Sequence, residues 1–300
     1  LVTATARPAQ PGCHLPGAEW RARRAAHQRR IDEWLAPHLD RRRAGTRHPV
    51  EDFLFTYYSH RPARLRRWHP GAGVVLAGAD PAELGPEYAA TSGGAVLDAA
   101  PLLARRAGPI DRIRGLLAAT ASRPAHLGCF GLHEWAMVYR QTRDEVRHQG
   151  WPLRLSPDAT AAVVETARIR CSHFDAYRFF TPPARPLNLL RPTRETQAAD
   201  EQPGCLHANM DLYKWAYKLS PLVPSELVAD CFALARDIRV LDMRAGPYDL
   251  ADLGYPAVPV ETPEGRAEFA AAQHAFADRA GSLRRRLLAA ITVRRLAAVA

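Results

Sequence analysis

Three short stretches hold most of the side chains that could do chemistry: His133-Glu134-Trp135, His173-Phe174-Asp175 followed by Tyr177 and Arg178, and the run from His207 to Lys218. Each joins an imidazole to a carboxylate. In the third, His207, Asp211, Lys214 and Lys218 fall at i, i+4, i+7 and i+11, which puts all four on one face of a helix. Leu212, Trp215, Ala216 and Leu219 occupy the opposite side. Of 41 basic residues only Lys214 and Lys218 are lysines, so arginine does nearly every other cationic task. Lysine is distinguished where an amine must lose its proton. Apolar surroundings lower an amine's pKa and make it nucleophilic, whereas a nearby carboxylate opposes that shift and can act as general base. Asp211 and Lys214, three apart, are within reach of each other, which is also the spacing of an ordinary helical ion pair.

Imidazole with carboxylate equally suits an iron or manganese site. No H-E-x-x-H motif occurs, however, and adjacent residues such as His133 and Glu134 point about 100° apart on a helix. No residue is therefore assigned to a metal, and no cofactor is expected.

The elements that must position these groups are mainly helical. The chain of 300 residues is 47% hydrophobic and 24% charged, ordinary values for a globular fold with a proper core. A net charge of +10 is not ordinary and favours a polyanionic partner, nucleic acid before a membrane surface. Five dispersed cysteines with no C-x-x-C pair argue against a disulfide framework or zinc ribbon and for reduced thiols in the cytoplasm. No apolar run approaches the roughly 20 residues needed to span a bilayer. Residues 1–17, with three prolines, read as a disordered tail; 18–290 read as one helical domain and 291–300 as a C-terminal tail.

Helices are expected over Glu19–Leu35, from Pro49 through Tyr58, over Ala99–Thr120, from about Leu132, after the Ser156-Pro157 start signal, over Arg168–Phe180, over Ser225–Met243 and from Thr262-Pro263. Gly71–Leu76 and Pro152–Leu155 are at most short strands, and Asp80–Gly94 reads as loop. The fold class is thus mainly α, a multi-helix globular domain with at most a few short strands. Between Phe53 and Trp68 aromatics alternate with Arg61, Arg64, Arg66 and Arg67, a mixture suited to base stacking and phosphate contact.

The segments HPVEDFLFTYYSHRPARLRRWHPG, HLGCFGLHEWAMVYR, IRCSHFDAYRFFTPPARPLN and EQPGCLHANMDLYKWAYKLSPLVPSELV resemble a family of actinobacterial proteins labelled 3-methyladenine DNA glycosylase. The resemblance covers most of the chain from Glu19 onward. It implies a base-excision hydrolase acting on alkylated DNA; the expected partner is double-stranded DNA with a damaged base, and no membrane and no obligate protein partner are expected. The chain lacks a convincing helix-hairpin-helix; Pro70-Gly71-Ala72-Gly73 is only a faint match to one.

Chemically, such an enzyme flips a base into an aromatic pocket, holds the backbone with cations and stabilises an oxocarbenium-like sugar with a carboxylate. Asp211, Asp175 and Glu134 are the candidate carboxylates, with Lys214 and His207 beside them. His133, His173, Arg178, Tyr213, Lys218, Tyr177 and Trp135 are candidate substrate contacts, and Arg61, Arg64, Arg66 and Arg67 candidate DNA-backbone contacts. Two alternatives are a His/carboxylate metal enzyme acting on a small molecule and a non-catalytic nucleic-acid-binding module. The spatial expectation is that His133, Asp175 and the His207–Lys218 face line one cleft.

Overall fold

The computed structural model describes residues 13–142, 144–146 and 150–299, with side chains up to residue 292. It is mainly helical, as the sequence patterning predicts. Of the expected tail 1–17, residues 1–12 lie outside the described residues, while Cys13–Leu15 are not tail but β1, which pairs in parallel with β2 (Val74–Ala77) and buries Leu15.

Helix α1 (Gly17–Arg43) turns Trp20, His27, Ile31, Leu35 and His38 inward along one face. Beyond Leu35 it runs on through Pro37 and is closed by Arg41-Arg42-Arg43, where cations suit the helix dipole. The helix predicted from Pro49 begins only at Phe53. His48 N–H donates to Asp52 Oδ2 (2.8 Å), and the N–H groups of Val50 and Glu51 donate to His48 Nδ1, closing a turn instead. The next two helices are short, α2 (Phe53–Tyr57) and α3 (Pro62–Arg66).

Beyond β2, the stretch read as loop contains α4 (Pro81–Leu84), capped by Asp80, and β3 (Tyr88–Thr91). With β4 (Gly94–Leu97) they complete a sheet of order β1-β2-β4-β3. Gly94 is required there, since a Cβ at its φ of +147° would sit 2.0 Å from the Leu76 carbonyl oxygen. Tyr-Ala-Ala-Thr carries little strand periodicity, so β3 owes its form to pairing with β4.

The helical body comprises α5 (Ala99–Ala121), α6 (Leu132–Ala136), α7 (Pro157–Thr166), α8 (Phe174–Tyr177), α9 (Gln197–Asp200), α10 (Leu206–Leu219), α11 (Ser225–Ala245) and α12 (Pro263–Val299). Ser156 caps α7 as expected, its Oγ accepting from Ala159 N–H. Of the helix expected over Arg168–Phe180 only the single turn of α8 forms. The expected C-terminal tail is instead helical through Val299. Helix α10 packs against α11 and α12, with Leu212, Ala216 and Leu219 wholly buried. Fully burying a leucine contributes about 1.5–3 kcal/mol, so this stripe anchors the face that carries the polar groups.

Candidate active site

Five segments bring their polar side chains to one place. Helix α6 supplies His133 and Glu134; the α8 turn and the residue before it supply Asp175 and His173. Glu201 follows α9, α10 supplies His207, Asp211 and Lys214, and α11 supplies Arg239 and Asp242. Gly131, at φ +67°, turns the chain into α6, and a Cβ there would meet Phe269 at 3.4 Å and Ala245 at 3.5 Å. Gly131 thus serves the turn into α6 and its packing. All five residues of α6 are buried, so His133 and Glu134 can diverge and both still meet polar partners.

The histidines pair with carboxylates from other segments, not with their sequence neighbours. His133 Nε2 lies 3.0 Å from Asp242 Oδ1 and 3.9 Å from Glu134 Oε1. His173 Nε2 stands 3.5 Å from both Glu201 Oε1 and Asp211 Oδ2. His207 lies between the two groups, its ring centroid 4.4 Å from that of His133 and 5.4 Å from that of His173. Arg239 Nη1 donates to Glu134 Oε1 (3.2 Å) and Asp242 Oδ2 (3.3 Å), while its guanidinium covers the Phe53 ring at 3.9 Å.

Lys214 bridges two carboxylates. Its Nζ donates to Asp211 Oδ2 at 2.9 Å and to Asp175 Oδ2 at 3.1 Å. Tyr58 Oη donates to the other oxygen of Asp211 at 2.9 Å. Burial alone would lower the Lys214 pKa, but the two carboxylates overcome it and hold the amine above its ordinary value. This corrects the expectation of a deprotonatable lysine: Lys214 is the clamp of an ion-pair network. Burial would likewise raise the Asp211 carboxyl, yet His173 and Lys214 keep it well below the usual range. Burial pushes His207 well down, so its imidazole is neutral at ordinary pH.

Two concavities flank the network. A cavity of about 230 Å³ is walled by Phe53, Tyr57 and Phe179 and presents Glu134, Asp175, His207 and Arg239. An open groove of about 770 Å³ is lined by Arg64, Arg67, Arg105, Arg106, Lys218 and His60, among others. Tyr57 belongs to the first, Ser59 to the second, and one turn of α10 separates Lys214 from Lys218.

The predicted residues sort accordingly. Glu134, Asp175 and His207 line the small cavity together. His133 and His173 lie behind it, buried. Asp211 is buried within the ion network and does not line the cavity. Lys218 is exposed and faces the groove, so the four-residue face on α10 is divided between two sites. Trp135 and Tyr213 prove to be core: Trp135 Nε1 donates to the Ala245 carbonyl, and Tyr213 packs on Phe232 with its hydroxyl at His60 Nδ1. Trp215 is half-buried and carries Lys214 and Lys218 over its ring, not opposite them. Tyr177 packs on Phe180, and exposed Arg178 sits 3.4 Å from Asp175 Oδ1. Arg64 and Arg67 reach the groove. Arg66 is turned away into a bidentate pair with Asp32 (2.7 and 3.0 Å), and Arg61 is exposed outside the groove lining.

Sequence reasoning missed Glu201, Arg239, Asp242 and the groove arginines Arg105 and Arg106. One signal was available: Asp242 lies four residues after Ile238 and eleven after Cys231, on the apolar stripe of α11. A carboxylate on that stripe requires buried partners.

No family model matches the chain, and no curated protein or solved structure matches it. The class that fold and site define is a mainly helical protein with a buried His–carboxylate network beneath an aromatic cavity. Among the described residues no helix is long and apolar enough to cross a membrane.

Proposed function

We propose that the chain is a DNA N-glycosylase that hydrolyses the N-glycosidic bond of an alkylated purine. The observation that carries this reading is the cavity of about 230 Å³, room for one flipped base, which joins three aromatic walls to the carboxylates of Glu134 and Asp175. The arginine-lined groove beside it suits the phosphate backbone, in keeping with the net charge of +10. A base alkylated on a ring nitrogen carries positive charge and is attracted to aromatic faces. Its glycosidic bond breaks with the electron pair leaving on the base, which departs neutral, and water supplies the hydroxyl to the sugar as its other proton passes to a carboxylate and on to solvent. Of the candidate carboxylates, Asp175 and Glu134 face that reaction. Asp211 positions Lys214 and through it Asp175.

The test is incubation with methylated duplex DNA, scoring free 3-methyladenine. Wild type should release base above spontaneous depurination. Asp175→Asn should lose about 100-fold or more of the rate, the scale for removing one electrostatic stabiliser. No release by wild type overturns the reading. Release unaffected by Asp175→Asn removes this site from it.

A further inference from the structure

We propose that His133, His207 and Asp242 form a binding site for a divalent transition-metal ion, open toward the aromatic cavity. The three residues come from α6, α10 and α11, and one donor atom from each lies within 4.8 Å of the others. His133 Nε2 and Asp242 Oδ1 are both buried and stand 3.0 Å apart, yet the ring N–H direction misses the oxygen and neither atom makes a hydrogen bond. Two buried polar atoms left this way are costly unless something else satisfies them. A cation does so with the lone pairs of both. Two ligands at right angles around an ion with bonds of about 2.1 Å are themselves about 3.0 Å apart, which is the separation seen.

The surroundings orient the ligands as metal sites require. Arg239 holds the other oxygen of Asp242 at 3.3 Å, leaving Oδ1 to face the histidines. The same guanidinium holds Glu134, whose Oε1 lies 3.9 Å from His133 Nε2 at the edge of the cluster. His207 lines the small cavity, so an open coordination position would face a ligand bound there. Two imidazoles and a carboxylate without thiolate suit iron(II), manganese(II), cobalt(II) or zinc(II), not calcium or magnesium. The inference stands apart from base release: either can fail while the other holds.

The test uses the whole chain, stripped with chelator and reloaded with cobalt(II), zinc(II), manganese(II) or iron(II) separately. The expected results are one ion per chain for at least one metal, a raised melting temperature, and visible cobalt bands of a nitrogen/oxygen site. His207→Gln should weaken binding more than about 100-fold with unchanged far-ultraviolet circular dichroism. His274→Gln, at an exposed His–Asp pair, should leave binding intact. In wild type, paramagnetic cobalt(II) should shift or broaden the imidazole resonances of His133 and His207, a readout independent of how variants fold. Absence of stoichiometric binding by any of these ions overturns the proposal. So does binding that survives in folded His207→Gln or is lost in His274→Gln, and so do unperturbed His133 and His207 resonances.

Discussion

Replacing Lys214 by methionine isolates the role of the bridging amine. The substitution keeps the aliphatic stem and removes the charge that meets Asp211 at 2.9 Å and Asp175 at 3.1 Å. At an effective dielectric of about 20, each contact is worth roughly 5–6 kcal/mol of Coulomb attraction before desolvation and side-chain ordering are counted. Those costs offset much of it. The consequence of deletion is set by the group left behind, an Asp211 side chain only 2% exposed that keeps Tyr58 at 2.9 Å and the His173 ring at 3.5 Å but loses its closest cation. Truncating one partner of a buried pair costs about 3–5 kcal/mol. Urea unfolding followed by circular dichroism should show a loss of that size in Lys214→Met. The double variant Asp211→Asn/Lys214→Met, which no longer buries a carboxylate stripped of its lysine, should recover at least about 1 kcal/mol. A single-variant loss below about 1 kcal/mol, the range of exposed pairs, would refute the buried-clamp account. Because Lys214 stays protonated in the clamp, borohydride should trap no adduct with abasic-site DNA. A trapped adduct at Lys214 would refute the protonation argument directly.

The groove and the buried histidines give two further expected outcomes. If the groove binds DNA, Arg64→Ala should reduce the slope of log affinity against log salt by about 0.9, one phosphate contact, while Arg66→Ala, already paired with Asp32, should leave it unchanged. An equal effect of both variants would discard the groove as the contact surface. For pH, burial pushes His60 down to about 4, helped by Arg64, and His69 down to about 3, helped by Arg67 and His27. Both stay neutral in the folded state while the unfolded chain protonates them near 6.5, so stability holds above that pH and is lost as pH falls toward the folded values. Near pH 5 the two together should give a slope on the order of 2–3 kcal/mol per pH unit. The double variant His60→Gln/His69→Gln should flatten it, and an unchanged slope would assign the acid sensitivity elsewhere.

Much of the helical body was legible because long periodic segments state their buried face directly. Cys231, Leu234, Ile238 and Leu241 announce α11, and Ser156-Pro157 announces α7. Short elements were not legible. β3 and α4 form through pairing and capping partners, and the start of α2 is displaced by His48 and Asp52, which satisfy backbone groups locally. The candidate site divides the same way. The residue types and three segments were readable, and they do converge: Lys214 touches Asp175, and His207 lies against His133 and His173.

The sequence by itself determined that His207, Asp211, Lys214 and Lys218 share one face of a helix, because helical periodicity is a local property of the chain. It could not say which carboxylate each histidine meets, since those partners lie on other segments. Tertiary packing made that choice: Asp242 for His133, Glu201 and Asp211 for His173, and for Lys214 a second carboxylate, Asp175, beside the Asp211 already within its reach. The lysine's protonation state went with them, because it depends on burial and on charges within a few ångströms, neither of which sequence spacing specifies.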